Sequence, residues 1–284
     1  MKVGVISSGS PDYLIDIVTD GLIRLLGRQS VSLDYNQRGG LGGAFAHLFS
    51  GFQGPEPFDI FESEVLIASS RSAAAMRQWI RKTGKKAVAF IDGEDSDPLA
   101  LHDLNEVKVY FKREYLKGRN YPEKVRPLPF AAIPEPVFER SEIKEKVFYS
   151  GSYTHPFRGE VSKTLIEIGF PPAPSRDKAA YNSSIMSSLV GISVRGNGWD
   201  TYRYWEIPYF GAAMLAQRPG IVIPGDFVDG VEAVFYDDAA DMKRKLLRMV
   251  EDVNRTVKIG EAGRKASLER HLSVNRARTV LEAL

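Results

Sequence analysis

Gly196 and Gly198 flank Asn197 just ahead of Asp200 and Thr201, and Tyr202, Arg203 and Glu206 follow at helical spacing. Glycine accepts positive φ at little cost, so this pair permits a tight turn. Asp200 or Thr201 can cap the helix that then begins. A helix N-terminus behind such a turn presents free N–H groups and the positive end of a dipole, which suits a diphosphate. Glu206 lies about one turn further in, and its carboxylate can accept hydrogen bonds from ribose hydroxyls. Residues 193–238 read as strand, glycine turn, short helix, second strand at 220–224, loop and third strand. Pro208 should bend or shorten the helix that carries Glu206.

Other stretches carry weaker chemistry. Asp92, Glu94, Asp95 and Asp97 follow the apolar run 85–91. Carboxylates so grouped can hold a divalent cation, although the spacing matches no EF-hand and capping or turn roles explain them equally well. Ser8 and Gly9 lie in the SSGS turn after the first strand, where the carboxyl ends of parallel strands commonly meet ligands. That turn is neither GxGxxG nor a Walker loop, so a plain strand-to-helix turn is the competing reading. Gly151 and Ser152 occupy the corresponding turn after a strand at 146–150, with Arg158 and Lys163 beyond it. Glu232, in FVDGVEAVF, is a second donor-side carboxylate or else a strand-edge surface residue. Lys112, Arg113, Lys117, Arg119 and Lys124 interleave with Tyr115 and Tyr121, read either as a solvated helix face or as a nucleic-acid contact.

These groups need strand–turn–helix units to hold them, and the chain supplies such units. Apolar runs at 2–7, 65–68, 85–91, 107–111, 146–150 and 189–194 alternate with helical patterns at 12–26, 70–83, 178–187 and 241–252. The closing pattern, 259–284, reads as one long helix. Four prolines between residues 127 and 136 place an interdomain linker near 133–143. Residues 38–54, rich in glycine and phenylalanine, read as a loop.

The 284 residues are enough for two such domains, and 43% hydrophobic with 26% charged residues is an ordinary globular composition. A formal charge of +2 does not by itself argue for nucleic acid. No cysteine is present, which excludes disulfides, thiolate metal sites and a cysteine nucleophile. With four dispersed histidines, no metal site is expected. No apolar run is long enough for a signal peptide or a membrane span, so the expectation is a cytoplasmic protein.

The segments RYWEIPYFGA, at 203–212, and FVDGVEAVFYDD, at 227–238, resemble the donor half of GT-B glycosyltransferases, especially the CgeB-like and exostosin-like branches. The resemblance implies two Rossmann-like α/β domains facing a cleft, an acceptor-side domain at 1–138 and a donor domain at 139–284. It also implies a terminal helix that crosses back to the first domain. Glu206 matches the second glutamate of the larger families' donor motif, while the first falls at Gly198 and is absent. Arg158 and Lys163 match a cationic pair that grips the donor diphosphate in retaining relatives. Two cations on a folded scaffold would stabilise the charge developing on that leaving group.

The resulting expectation is glycosyl transfer from a nucleoside diphosphate sugar, with retention and without metal or other cofactor. The leaving diphosphate is assigned to Arg158, Lys163 and the helix start at Thr201. Asp92 touches sugar or acceptor. Ser8, Gly9, Gly151, Ser152, Gly198, Thr201, Tyr202, Arg203, Glu206 and Glu232 bind the donor. The acceptor class stays open among glycan, protein, small molecule and modified base, and the oligomeric state is undefined. Two alternatives stand beside this reading: a silent GT-B-like module that binds nucleotide or glycan without transfer, and a transferase acting on nucleic acid.

Overall fold

The runs VGVIS, VLIAS and VAFID form strands β1 (Val3–Ser7), β3 (Val65–Ser69) and β4 (Val88–Asp92), each buried along its whole length. Parallel strands covered on both faces require such continuous apolar runs. With β2 (Val31–Tyr35), β5 (Val109–Lys112) and β6 (Val125–Pro127) they make a six-stranded sheet of order β2-β1-β3-β4-β5-β6, paired in parallel throughout. Chain order reverses between β1 and β3, the topological switch point of this sheet. The computed structural model describes residues 1–7, 12–35, 55–101, 104–135, 140, 142–174 and 177–284.

Helix α1 (Tyr13–Leu26) buries Leu14, Ile15, Ile17, Val18 and Leu22, and Asp12 caps it by accepting from Ile15 N at 3.4 Å. Helix α2 (Ala73–Thr83) sends Met76 and Trp79 into a core shared with Leu66, Phe90 and Tyr110.

A second parallel sheet, of order β10-β9-β8-β7, is built from β7 (Glu145–Phe148), β8 (Ser188–Ser193), β9 (Ala213–Gln217) and β10 (Val234–Tyr236). Helices α3 (Pro156–Glu167), α4 (Lys178–Met186), α5 (Tyr202–Tyr209), α6 (Ala239–Glu251) and α7 (Val253–Arg270) accompany it. Val161, Leu165, Val190, Ile192, Leu215, Met242 and Leu246 form its core. Helix α5 is drawn tight onto β8, because a Cβ at Gly191 would lie 2.7 Å from the Ile207 side chain.

The described chain divides into two units. One is Met1–Ile133 with Val222–Pro224 and Leu272–Leu284; the other is Pro134–Ile221 with Gly225–His271. The expected boundary after residue 138 falls outside the described residues, as does the loop 38–54. The last helix, α8 (Ser273–Glu282), packs on α1 in the first unit, where the bare backbone of Gly21 admits Ser273. No helix among the described residues is long and apolar enough to cross a membrane.

Three local expectations are corrected. The strand after α5 is Ala213–Gln217 rather than 220–224. Gly211, at φ +87°, ends α5 and returns the chain to the sheet at once, while Pro219 and Pro224 bracket the segment that stays outside it. The closing pattern is two helices, broken at His271 and Leu272, where the fully buried His271 ring packs on Trp205 and Phe227. The basic stretch 112–124 begins at the end of β5 and continues through turns and irregular chain rather than along a helix.

Candidate functional site

Two turns leave the carboxyl ends of adjacent strands in the second unit. After β7 the chain passes through Gly151 and Ser152, and His155 caps α3 by accepting from Phe157 N at 3.2 Å. After β8 it passes through Gly196–Gly198, where Gly196 N donates to Gly198 O at 2.9 Å, before Thr201 begins α5. No side chain caps α5. Asp200 is engaged elsewhere, accepting from Trp205 Nε1 at 2.7 Å, and Thr201 Oγ1 lies 3.2 Å from Ser193 Oγ.

Arg158 joins the two turns from below. Its guanidinium donates to Ser152 O at 2.8 Å, Arg195 O at 2.8 Å and Val194 O at 3.3 Å. Burial, and then the charge of Arg203, push its pKa down to about 10. Arg203 rises from the first turn of α5 and covers Gly151, where a Cβ would sit 3.3 Å from Nη2. It lies close enough to the Tyr181 hydroxyl to bear on its ionisation, while its buried Nε has no hydrogen-bond partner among the described residues. Among the described residues, neither arginine makes an ion pair with a carboxylate; the groups that bear on Arg158 are Arg203, Tyr149 and Tyr236. Burial raises the pKa of both tyrosines, so they stay neutral beneath the cations.

Glu206 lies on the same helix, with its carboxylate already occupied. Lys178 pairs with Oε1, and Tyr181 Oη donates to Oε2 at 2.9 Å. Both partners come from α4 and are residues that sequence reasoning did not single out. Their spacing of three on a helix capped by Asp177 was the available signal, and it left their partner undetermined.

The remaining expected residues fall in different places. Gly151, Ser152, Gly198, Thr201, Arg203, Glu206 and Arg158 come together at the two turns, and Tyr202 opens α5 beside them. Lys163 is exposed on α3, five residues and a different face from the buried Arg158. Glu232 binds elsewhere in the second unit, accepting from Val228 N at 3.0 Å and pairing with Arg270 of α7. Ser8 and Gly9 lie outside the described residues. Asp92 belongs to the first unit, fully buried against Lys112 Nζ at 3.0 Å and the Tyr110 hydroxyl.

The loop after β4 spends its carboxylates on protein cations. Besides Asp92 with Lys112, Glu94 pairs with Arg71, Asp95 with Arg113 and Asp97 with Arg119. Among the described residues no cluster of three or more His, Asp or Glu could hold a metal ion.

With this geometry the chain can be set beside known proteins. The fold is that of GT-B glycosyltransferases, α/β with parallel sheets. Anabaena Alr3699/HepE in complex with UDP superposes with a TM-score of 0.68 at 10% identity, covering 99% of each chain. Sucrose-phosphate synthase from Thermosynechococcus elongatus gives 0.62 at 10% identity, over 99% of this chain and 98% of that one. An alpha-glucosyltransferase in complex with UDP and a 13-mer DNA gives 0.64 at 11% identity, over 100% and 99%. In sequence, residues 166–282 match the family described as Glycosyl transferase-like. No curated protein matches the chain.

Proposed function

We propose that this protein transfers a glycosyl unit from a nucleoside diphosphate sugar, within the CgeB-like or exostosin-like branch that RYWEIPYFGA resembles. The observation that carries the reading is the pair Arg158 and Arg203, two guanidiniums beside two glycine turns with no ion-paired carboxylate among the described residues. A pyrophosphate supplies the missing charge, and Arg203 is the member placed to touch it. Arg158 acts through the turns that it holds. The start of α5 at Thr201, which no side chain caps, turns the positive end of the helix dipole to the same region. Glu206, one turn further along, takes the ribose hydroxyls once Lys178 and Tyr181 share or yield its oxygens.

The reaction follows the chemistry of the bound groups. The bond from the anomeric carbon to the diphosphate oxygen breaks, and its electron pair leaves on the diphosphate beside Arg203. The acceptor hydroxyl bonds to the anomeric carbon and gives its proton to the departing phosphate. Configuration is retained and no metal takes part. UDP is the first nucleotide to try, since the Anabaena structure and the alpha-glucosyltransferase structure both hold it.

A second reading, a nucleotide-binding module without transfer, draws on Gly198 standing where relatives carry a glutamate and on the occupied carboxylate of Glu206. A nucleic-acid target draws less support, because Lys112, Arg113 and Arg119 are paired within the first unit and Lys124 donates to the Leu104 and Val107 carbonyls. The test is a panel of UDP-sugars, scored for protection against thermal unfolding and for UDP release with mixed glycan acceptors. Protection with release supports the transferase, protection alone the silent module, and neither defeats both.

A further inference from the structure

Tyr153 is 76% exposed, the most exposed large side chain with apolar character among the described residues. It stands on the turn directly after β7, between Ser152, whose carbonyl accepts from Arg158, and the cap of α3. Its ring lies against Gly159, where a Cβ would be 3.8 Å from Cε1. It is also close enough to the Tyr149 hydroxyl to bear on that group's ionisation.

The side chains around it fall into a sequence along the site. Lys178, Tyr181 and Glu206 stand at one end. Arg203 comes next, touching both Tyr181 and Gly151. Arg158 and Ser152 follow, and Tyr153 and His155 close the other end. A nucleoside diphosphate sugar has the same linear order: ribose, two phosphates, sugar. With ribose at Glu206 and phosphate at Arg203, the sugar falls at the Tyr153 end.

We propose that Tyr153 is the platform on which the transferred sugar stacks, and that it determines donor specificity. The inference rests on the donor-site reading above. A hexose has a face of C–H groups that gains by leaving water for an aromatic ring. Gly198 offers no carboxylate to bind the sugar's hydroxyls, so stacking supplies the contact. The favoured donors are neutral hexoses that present an unbroken C–H face.

The experiment measures dissociation constants of UDP, UDP-glucose, UDP-galactose and UDP-N-acetylglucosamine for wild type, Tyr153→Ala and Tyr153→Phe. Tyr153→Ala should weaken at least one UDP-sugar about tenfold and leave UDP unchanged, while Tyr153→Phe keeps both affinities. Equal weakening of UDP and UDP-sugars, or no weakening of any sugar donor, overturns the assignment. If wild type fails to bind UDP itself, the donor-site reading has failed and the platform falls with it. Unchanged melting temperatures in both variants keep these outcomes separate from loss of fold.

Discussion

Lys178 and Glu206 form an ion pair that ties α4 to α5, with Tyr181 Oη 2.9 Å from the second carboxylate oxygen. The Glu206 side chain is only 14% exposed, so the pair is partly shielded from water and fixes the carboxylate at one rim of the site. A ribose diol arriving there meets a carboxylate whose lone pairs are already shared. If ribose binds at Glu206 as proposed, donor binding and the Lys178 contact compete.

Removing that competitor should strengthen nucleotide binding. Lys178→Met keeps the length of the side chain and deletes its charge. UDP should then bind about fivefold tighter, in line with about 1 kcal/mol for such a pair. A 2′,3′-dideoxy nucleotide should gain nothing. Titration calorimetry on the two ligands checks this, and weaker UDP binding would mean that Lys178 itself contacts the nucleotide.

Arg158 should behave as a residue that holds the turns. Three charge-assisted hydrogen bonds to carbonyls are lost in Arg158→Ala, two of them at 2.8 Å. Losing such bonds from a buried site should cost about 3 kcal/mol or more of stability. Urea unfolding measures the loss. A variant of wild-type stability that merely binds UDP poorly would place Arg158 in direct contact with phosphate instead.

Asp12 makes the first unit sensitive to pH. It is buried, its Oδ2 lacks a partner among the described residues, and burial lifts its pKa to about 6 from 3.8. Arg71 and Arg113 face it with opposing charge and Glu94 with like charge, but burial outweighs them. Between those two pKa values the folded state binds the proton more tightly than the unfolded chain. The cost of the buried charge is therefore complete above pH 6 and fades as pH falls toward 4, and it amounts to about 3 kcal/mol. Asp12→Asn should raise the melting temperature at pH 8, and the gain should vanish near pH 4. A gain independent of pH would refute the assignment.

Much of this architecture was legible in the sequence because parallel strands write themselves as apolar runs. VGVIS, VLIAS and VAFID need no partner to be recognised, and each is buried throughout. The turn before Arg203 and Glu206 was equally readable as a local feature, but neither Gly196 nor Gly198 takes the expected positive φ; Gly196 instead makes room for the Arg158 guanidinium, 3.2 Å from where a Cβ would sit. What the sequence could not give was the identity of distant partners. Lys112 reads as one charge of a basic stretch, yet it is fully buried on Asp92, twenty residues away. Glu206 reads as an open carboxylate, and only the packing of α4 on its oxygens reveals that it is engaged. Arg158 reads as a phosphate ligand, while the close approach of two turns converts it into a clamp. Strand limits also slipped where a turn competed with an apolar run, as at Ala213–Gln217.

In the proposed reading the second unit binds a nucleoside diphosphate through Arg203, whose buried Nε has no hydrogen-bond partner among the described residues. The most direct test of that reading is the affinity of UDP and of uridine for wild type and Arg203→Ala. Wild type should bind UDP more tightly than uridine. The substitution should weaken UDP roughly 10- to 150-fold, the size of one charge-assisted contact, and leave uridine nearly unchanged. Equal binding of UDP and uridine by wild type, or a substitution that leaves UDP untouched, would contradict it.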